Sequence, residues 1–455
     1  MNEIKKNDVM QGRVVDLTHE GHGVVKVDRY PIFVPHALID EDIEFKVIKV
    51  KKNFAIGKLN EVTTASVNRV TPPCVYYSKC GGCQLQHMNY ESQLEMKFNQ
   101  VYNLFTRKGS FKDLKINQPI GMEHPWHYRN KSQIPVGTDQ SGDVKMGFYR
   151  QRSHDIIDMD TCLIQHDVQN ALMVSIKKWL NELNVSIYNE QLKSGLVRHV
   201  IIRASHYKDA QMVIFVTNGK KFKALDTLIK RISTHYPSVK SIIHNINTSH
   251  SNVIMGKKSQ VMYGDSVIED DLDNLTFEIG DRSFYQINVT QTEKLYRKAI
   301  EYAGLTGNEI VIDAYCGIGT IGLYMAPHAN HVYGVEVVES AIEDAKLNRE
   351  RNGIQNIDFE AGKAEEIIIK WQQEGLKPDV VMVDPPRKGC DQTFINTLLE
   401  LQPKRIVYIS CNPSTQARDA ERLSDSYDLQ EITPVDMFPH TTHIETVALF
   451  ERKDA

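Results

Sequence analysis

Beyond about residue 275 the chain repeats one pattern: a short run rich in Val and Ile, a turn, then an amphipathic stretch. The apolar runs are EIVIDAYC, HVYGVEVV, PDVVMVDPP and KRIVYISCN. Runs apolar on both faces read as strands of a parallel sheet, and the stretches between them as helices that cover it. This alternation leaves few folds open. The expected class is α/β: a Rossmann-like, doubly wound sheet with ligand sites at the carboxyl ends of its strands.

The texture upstream is different. Residues 1–60 hold four short β-rich segments, GRVVDLT, GHGVVKVDRYPIFVP, IEFKVIKVKKN and FAIGKLNEV, broken at glycine-bearing turns. Their spacing predicts a small five-stranded barrel of the OB type, often a nucleic-acid platform. Lys46, Lys49, Lys51, Lys52 and Lys58 load its C-terminal half. They suit either a phosphate-binding face or the guarding of an edge strand. Residues 91–109 predict a helix ending at Gly109, and residues 117–260 read as strands and hairpins with one helix near 166–184. The expected division is 1–62 barrel, 63–274 β-rich central domain and 275–455 catalytic domain, with the 91–109 helix able to pack on the last.

Charge follows the same division. The 455 residues carry a net charge of −4, which argues weakly against a polyanion partner. Residues 1–260, however, hold 36 Lys and Arg against 24 Asp and Glu, and the remainder 18 against 34. A +12 part joined to a −16 part suggests a nucleic-acid-binding front and a chemical back. No apolar run reaches the ~18–20 residues of a membrane helix, and MNEIKKNDVM lacks the core of a signal peptide. A cytoplasmic location, no membrane partner and a monomeric state are the expectations.

Strand EIVIDAYC leads into Gly317-Ile318-Gly319-Thr320-Ile321-Gly322, and Glu336 closes the next strand. Such a loop admits a ligand close to the backbone at a helix N-terminus, while the acid can accept two ribose hydroxyls. The pattern serves an NAD dehydrogenase as well as a methyltransferase. Asp313 at the end of the first strand, and the later strand ends Asp384-Pro385-Pro386-Arg387 and Ser410-Cys411-Asn412-Pro413, favour S-adenosylmethionine (SAM) over NAD.

Cys411 stands at a ligand-facing strand end, flanked by polar residues rather than core. A thiolate there could add to C6 of a pyrimidine, making C5 nucleophilic toward a methyl sulfonium. A general base must then take the C5 proton. Glu445, in Pro439-His440-Thr441-Thr442-His443-Ile444-Glu445, is the candidate. The rival reading of that stretch is a histidine/glutamate metal site, but His440 and His443 precede a strand rather than sharing a helix face.

DAYCGIGTIG, DPPRKG, SCNPSTQARD and DMFPHTTHIE, with Ser283-Phe284-Tyr285-Gln286-Ile287-Asn288, resemble the motifs of the RNA uracil-C5 methyltransferases. That family includes 23S rRNA and tRNA 5-methyluridine enzymes. The likeness spans essentially the whole chain. It implies Cys411 as nucleophile, Glu445 as base, and SAM contacts from Gln286, Tyr315, Glu336 and Asp384. It also implies that the barrel is an RNA-binding TRAM domain. Thr320 and Lys363 depart from the rRNA members' pattern, so no SAM contact is carried over to them.

Cys74, Cys80 and Cys83 provide three thiols in ten residues, and Cys162 is the best candidate for a fourth ligand. Four cysteines suit zinc or an iron–sulfur cluster equally well by chemistry. The resemblance to rRNA members implies a [4Fe–4S] cluster with a structural role, zinc being the lesser alternative. Cys316 and Cys390 read as packing residues. Trp126, His127, Tyr128, Arg129 and Lys131, then Phe148, Tyr149, Arg150 and Arg152, interleave aromatics with cations, which suits single-stranded RNA and a flipped base. The resemblance to the rRNA members implies 23S rRNA as the partner. A tRNA enzyme is the nearer alternative, against which the barrel and cysteines weigh. A non-catalytic RNA-binding or chaperone protein is the more distant one.

Overall fold

A computed structural model describes residues 4–107, 111 and 113–453. The N-terminal strands Val9–Leu17, Gly23–Val27, Tyr30–Val34, Asp42–Val50 and Ala55–Thr64 close into a barrel. Its interior is filled by Val14, Val25, Ile32, Val34, Ile43, Phe45 and Val47, which alternate with outward residues as a half-buried strand requires. The five barrel lysines named above are exposed or partly exposed, and Lys46 stands directly opposite Lys58.

Helix Tyr90–Thr106 follows, its first turn capped by Asn89, whose side chain accepts from the Ser92 N–H. Val101 and Phe105 on this helix enter the core of the catalytic sheet. The expected end at Gly109 lies outside the described residues. The short strand Lys115–Ile116 then joins the edge of the catalytic sheet, parallel to Tyr427–Val435.

The central region is a seven-stranded sheet. Its order is Lys258–Gly264, Val239–Ile246, Gln211–Thr217, Val197–Ala204, Lys131–Thr138, Val144–Tyr149 and Ile156–Asp158. Helix Asp167–Glu182 matches the expected one. A second helix, Leu225–His235, was not anticipated. It buries Leu225, Leu228 and Ile232, and it provides the crossover between two parallel strands, Gln211–Thr217 and Val239–Ile246. A parallel pair cannot be joined by a hairpin. The hairpin Val267–Leu272/Leu275–Gly280 straddles residue 274 and is tied to both neighbours. Asp270 accepts from Ser205 Oγ, while Asn348 and Asn352 accept from the Glu278 and Thr276 amides.

The catalytic sheet has the order Ile357–Ala361, His331–Glu336, Ile310–Ala314, Val380–Val383, Arg405–Ser410, Glu445–Arg452, Tyr427–Val435 and Lys115–Ile116. The first five are mutually parallel, as the apolar runs required, and Glu445–Arg452 returns antiparallel. No helix among the described residues is long and apolar enough to cross a membrane.

Candidate functional site

The parallel strands end on one edge, and the expected site residues gather there. Gly317 (φ +56) and Gly319 (φ +82) turn the first strand into helix Thr320–Met325. A Cβ on Gly319 would stand 2.7 Å from the Phe359 ring, so glycine is needed for packing as well as for φ. At Gly317 the same space is open, a gap beside the backbone that a ligand could fill. Glu336 faces this loop: Oε2 accepts from the Gly317 amide at 3.3 Å and Oε1 from the Val338 amide at 2.9 Å. Tyr315 takes a left-handed backbone (φ +67) and packs on Phe394.

The side chains of Gln286, Tyr315 and Asp384 make no hydrogen bond within the protein, among the described residues. Asp313 is fully buried, with neither carboxylate oxygen in hydrogen-bond geometry. Burial, then the charge of Asp384, pushes its carboxyl up to about 8, the nearby Gly322 amide opposing. Asp384 is partly accessible, yet its surroundings push it up to about 7 by burial. Free polar groups around an open glycine loop, with an acid opposite, fit an adenosine bearing a charged amino-acid tail.

Cys411 directly follows strand Arg405–Ser410. The last registered pair with the antiparallel neighbour is Ser410 with Thr446, so the next residues along, Cys411 and Glu445, stand side by side. Asn412 fixes the turn. Its Oδ1 accepts from the Ser414 amide at 3.2 Å, capping helix Pro413–Leu423, and its Nδ2 donates to the Arg387 carbonyl at 3.2 Å. The DPPR and SCNP loops are thereby joined. Burial, then Glu445 and Asp384, pushes the Cys411 thiol up to about 11, with Arg387 as the opposing cation. Glu445, 4% exposed, is pushed up to about 8 by burial and Asp384. Cys411, Arg387 and His443 line a cleft of about 1020 Å³, closed on other sides by Thr18 and Glu20 of the barrel and Met96 of the first helix.

The loop carrying the acid is held from far upstream. Lys97 Nζ donates to Asp436 Oδ1 at 2.6 Å, both side chains fully buried, and Tyr90 OH donates to Asp436 Oδ2 at 2.9 Å. The His440 amide donates to Gln93 Oε1 at 3.0 Å. Trp126 stacks on the His440 ring at 3.7 Å, and Tyr128 OH donates to the Pro439 carbonyl at 3.0 Å. These contacts correct the expectation that Tyr128 stacks on RNA. Tyr128 is buried, and one face of Trp126 is already covered. Phe148 likewise packs against the central core, whereas Arg150 and Arg152 are exposed. His440 and His443 belong to no metal-binding group among the described residues.

Sequence reasoning missed two participants. Tyr296 is buried, its OH 3.1 Å from Thr320 Oγ1, and its hydroxyl is raised by burial and by Asp384, Asp313 and Glu445 around it. It carries no motif; only its helical spacing one turn after Gln291 and Thr292 placed it inward. Lys97 was missed because nothing local marks a partner 339 residues away.

Cys74, Cys80, Cys83 and Cys162 line one cavity of 170 Å³ with Tyr77 and Arg129. Burial pushes Cys83 up to about 12 and Cys162 up to about 11, and the thiols raise one another further. No three of these or other His, Cys, Asp or Glu side chains form a metal-binding group as they stand, among the described residues. Convergence on one cavity and the absence of a tight ligand set coexist, since shared lining does not require the thiols to meet a single ion.

The fold and the glycine-loop cradle define a class, the SAM-dependent methyltransferases. Comparison then gives the family. The model for tRNA (Uracil-5-)-methyltransferase matches residues 89–453, and the chain belongs to this family of SAM-dependent RNA uracil-5-methyltransferases. It is 65% identical over 454 residues to an uncharacterized RNA methyltransferase of Staphylococcus epidermidis, covering 100% of both chains. It is 64% identical over 453 residues to one of Staphylococcus aureus, again at 100% of both. The crystal structure of Pyrococcus abyssi tRNA (uracil-54, C5)-methyltransferase in complex with S-adenosyl-L-homocysteine is 29% identical. It matches with a TM-score of 0.80, over 97% of this chain and 100% of its own. The remainder not covered is shorter than the barrel. A barrel therefore does not weigh against a tRNA enzyme, which corrects the expectation from sequence.

Proposed function

We propose that this chain methylates C5 of a uridine in 23S rRNA, with Cys411 as nucleophile and Glu445 as base. The observation that carries the reading is the strand register that sets Cys411, which lines the cleft, beside the buried Glu445. SAM, held by Gln286, Tyr315, Glu336 and Asp384, supplies an electrophilic methyl group when bound. The Cys411 thiol gives up its proton to water, its Sγ forms a bond to uracil C6, and the C5–C6 π electrons move toward O4, leaving C5 nucleophilic. After C5 is methylated, the Glu445 carboxylate takes the C5 proton. The freed electron pair restores C5=C6 as the S–C6 bond breaks. The uridine reaches this depth flipped from its stack. Asp384, whose charge reaches both Cys411 and Glu445, and Tyr296, which feels Asp384 and Glu445, would hold the base edge and the acid in place.

The second reading is a tRNA uridine. The Pyrococcus abyssi structure, named for tRNA, favours it. Cys74, Cys80, Cys83 and Cys162 would hold a [4Fe–4S] cluster, or zinc, which would brace the central domain; the methylation itself needs no electron transfer. The barrel, as a TRAM-like domain, and the exposed Arg150 and Arg152 would contact RNA phosphates.

Labelled-methyl transfer to 23S rRNA and to bulk tRNA, each lacking 5-methyluridine, tests the reading. Wild type should label rRNA, and Cys411→Ala should label neither while still binding SAM. Full activity in Cys411→Ala would sink the mechanism, and labelling of tRNA alone would select the second reading.

A further inference from the structure

At the end of the central sheet that meets the catalytic domain, positive charge is concentrated against the usual logic of a sheet. Arg203 stands directly opposite Lys131 on antiparallel strands, and like charges in that position repel. Arg129 is close enough that it, after burial and Arg203, helps push the Lys131 amine down to about 8. Neither Lys131 nor Arg129 has a side-chain hydrogen bond or ion pair, among the described residues.

Arg203 is 4% exposed. Its Nη2 donates to the carbonyls of Ser283 at 2.7 Å and Asp281 at 3.3 Å, but its Nε is buried without a partner. The carboxylate that offsets it, Asp281, already accepts from Ser259 Oγ and lies beside Arg282. A buried guanidinium facing an unpaired ammonium is costly to keep unless something neutralises both.

The position of the group suggests what that is. Asn130, between Arg129 and Lys131, donates its amide to the Ile287 carbonyl and its Nδ2 to the Gln286 carbonyl, each at 2.9 Å. The cations therefore abut the Phe284–Gln286 loop, on which Phe284 is 71% exposed. The charge of Arg129 also reaches His443, at the mouth of the Cys411 cleft.

We propose that Lys131, Arg203 and Arg129 form a binding site for one backbone phosphate of the RNA, beside the Phe284–Gln286 loop. The proposal rests on the reading of the chain as an RNA-modifying enzyme and adds to it a fixed anchor near the target nucleotide. The unpaired guanidinium of Arg129 and ammonium of Lys131, both partly exposed, match a phosphodiester's two oxygens, with the buried charge of Arg203 beside them. The methionine carboxylate of SAM is the competing anion.

The test uses the full chain as wild type, Lys131→Gln, Arg129→Gln and Lys131→Arg. Affinities for SAM and for an in vitro rRNA transcript are measured across a salt titration, with thermal melting of the free proteins alongside. In either Gln variant RNA affinity should fall several-fold, and the slope of log K against log salt should drop by about 0.7–0.9. SAM affinity should hold, and Lys131→Arg should keep the wild-type slope. Lys131→Gln should melt no lower than wild type, since it removes a repulsion; a variant that melts earlier would show a merely structural lysine and overturn the proposal. Unchanged RNA affinity and slope in both Gln variants would overturn it too, as would weakened SAM binding with RNA binding intact. A wild type that binds neither this transcript nor a tRNA transcript would instead overturn the RNA reading itself, and this site with it.

Discussion

Two regions of the molecule present cysteines to a cavity, and burial acts first on the thiols in both. In the central region Cys83 and Cys162 are pushed up by desolvation and then by neighbouring cysteines, Cys74 and Cys80 among them, with Arg129 the cation near Cys162. At the sheet edge Cys411 is pushed up by desolvation and by two acids, Glu445 and Asp384, with Arg387 opposing. A cation joining the first set would favour its ionisation, because each added thiolate repels the next. The second needs a partner that takes a proton or accepts the sulfur's electrons. A buried thiol is thus not informative by itself; the groups that share its cavity decide between a ligand and a nucleophile.

The largest expected effect separates the acid beside Cys411 from the thiol itself. Glu445→Gln should lower methyl-transfer turnover by ~10²–10⁴, the usual contribution of a general base. The adduct through Cys411 should accumulate, visible as a protein–RNA band on a denaturing gel. Wild-type turnover in this variant would remove Glu445 from the proposed mechanism.

Next in size is the central cavity. Cys83→Ser should lose bound iron and acid-labile sulfide, or zinc if that is the resident metal, and should lower the melting temperature by several degrees. Its Cys411 should still react with iodoacetamide at the wild-type rate. Metal content and melting equal to wild type would leave the four cysteines without a shared ligand.

The smallest effect concerns charge at the sheet edge. Asp384→Asn removes a carboxylate that holds the Cys411 thiol up, so the thiol's pKa should fall and alkylation at pH 8 should quicken by a factor of a few. The sign extends to stability. Asp313, pushed up to about 8 in the folded chain, favours folding fully only below the ordinary carboxylate pKa. That contribution is lost as pH rises toward 8. Asp313→Asn should therefore melt increasingly above wild type between pH 5 and 8, and a constant gap would contradict the assignment.

Much of this arrangement was legible in the chain. The Val/Ile runs marked the parallel strands because such strands are buried on both faces, and glycine spacing marked the nucleotide loop because few other residues tolerate its φ values. Cys411 was visible as a polar-flanked thiol at a strand end. Helix Leu225–His235 was overlooked, its short apolar stripe lying between two stronger strand signals. Trp126 and Tyr128 looked like an RNA-stacking pair because aromatic–cation interleaving does not say which face a ring presents. Their actual partners, His440 and Pro439, lie more than 300 residues on.

By itself the sequence determined what depends on neighbours along the chain: the barrel's alternation, the αβ rhythm, the loop glycines and the residue types able to do the chemistry. Tertiary structure decided what depends on charges brought together from afar. It placed Cys411 next to Glu445 through an antiparallel register, and it locked Asp436 to Lys97 across 339 residues. It also set Arg203 against Lys131. Electrostatic and packing energies depend on distance in space and on the water excluded between groups, and neither quantity is written in local order along a chain.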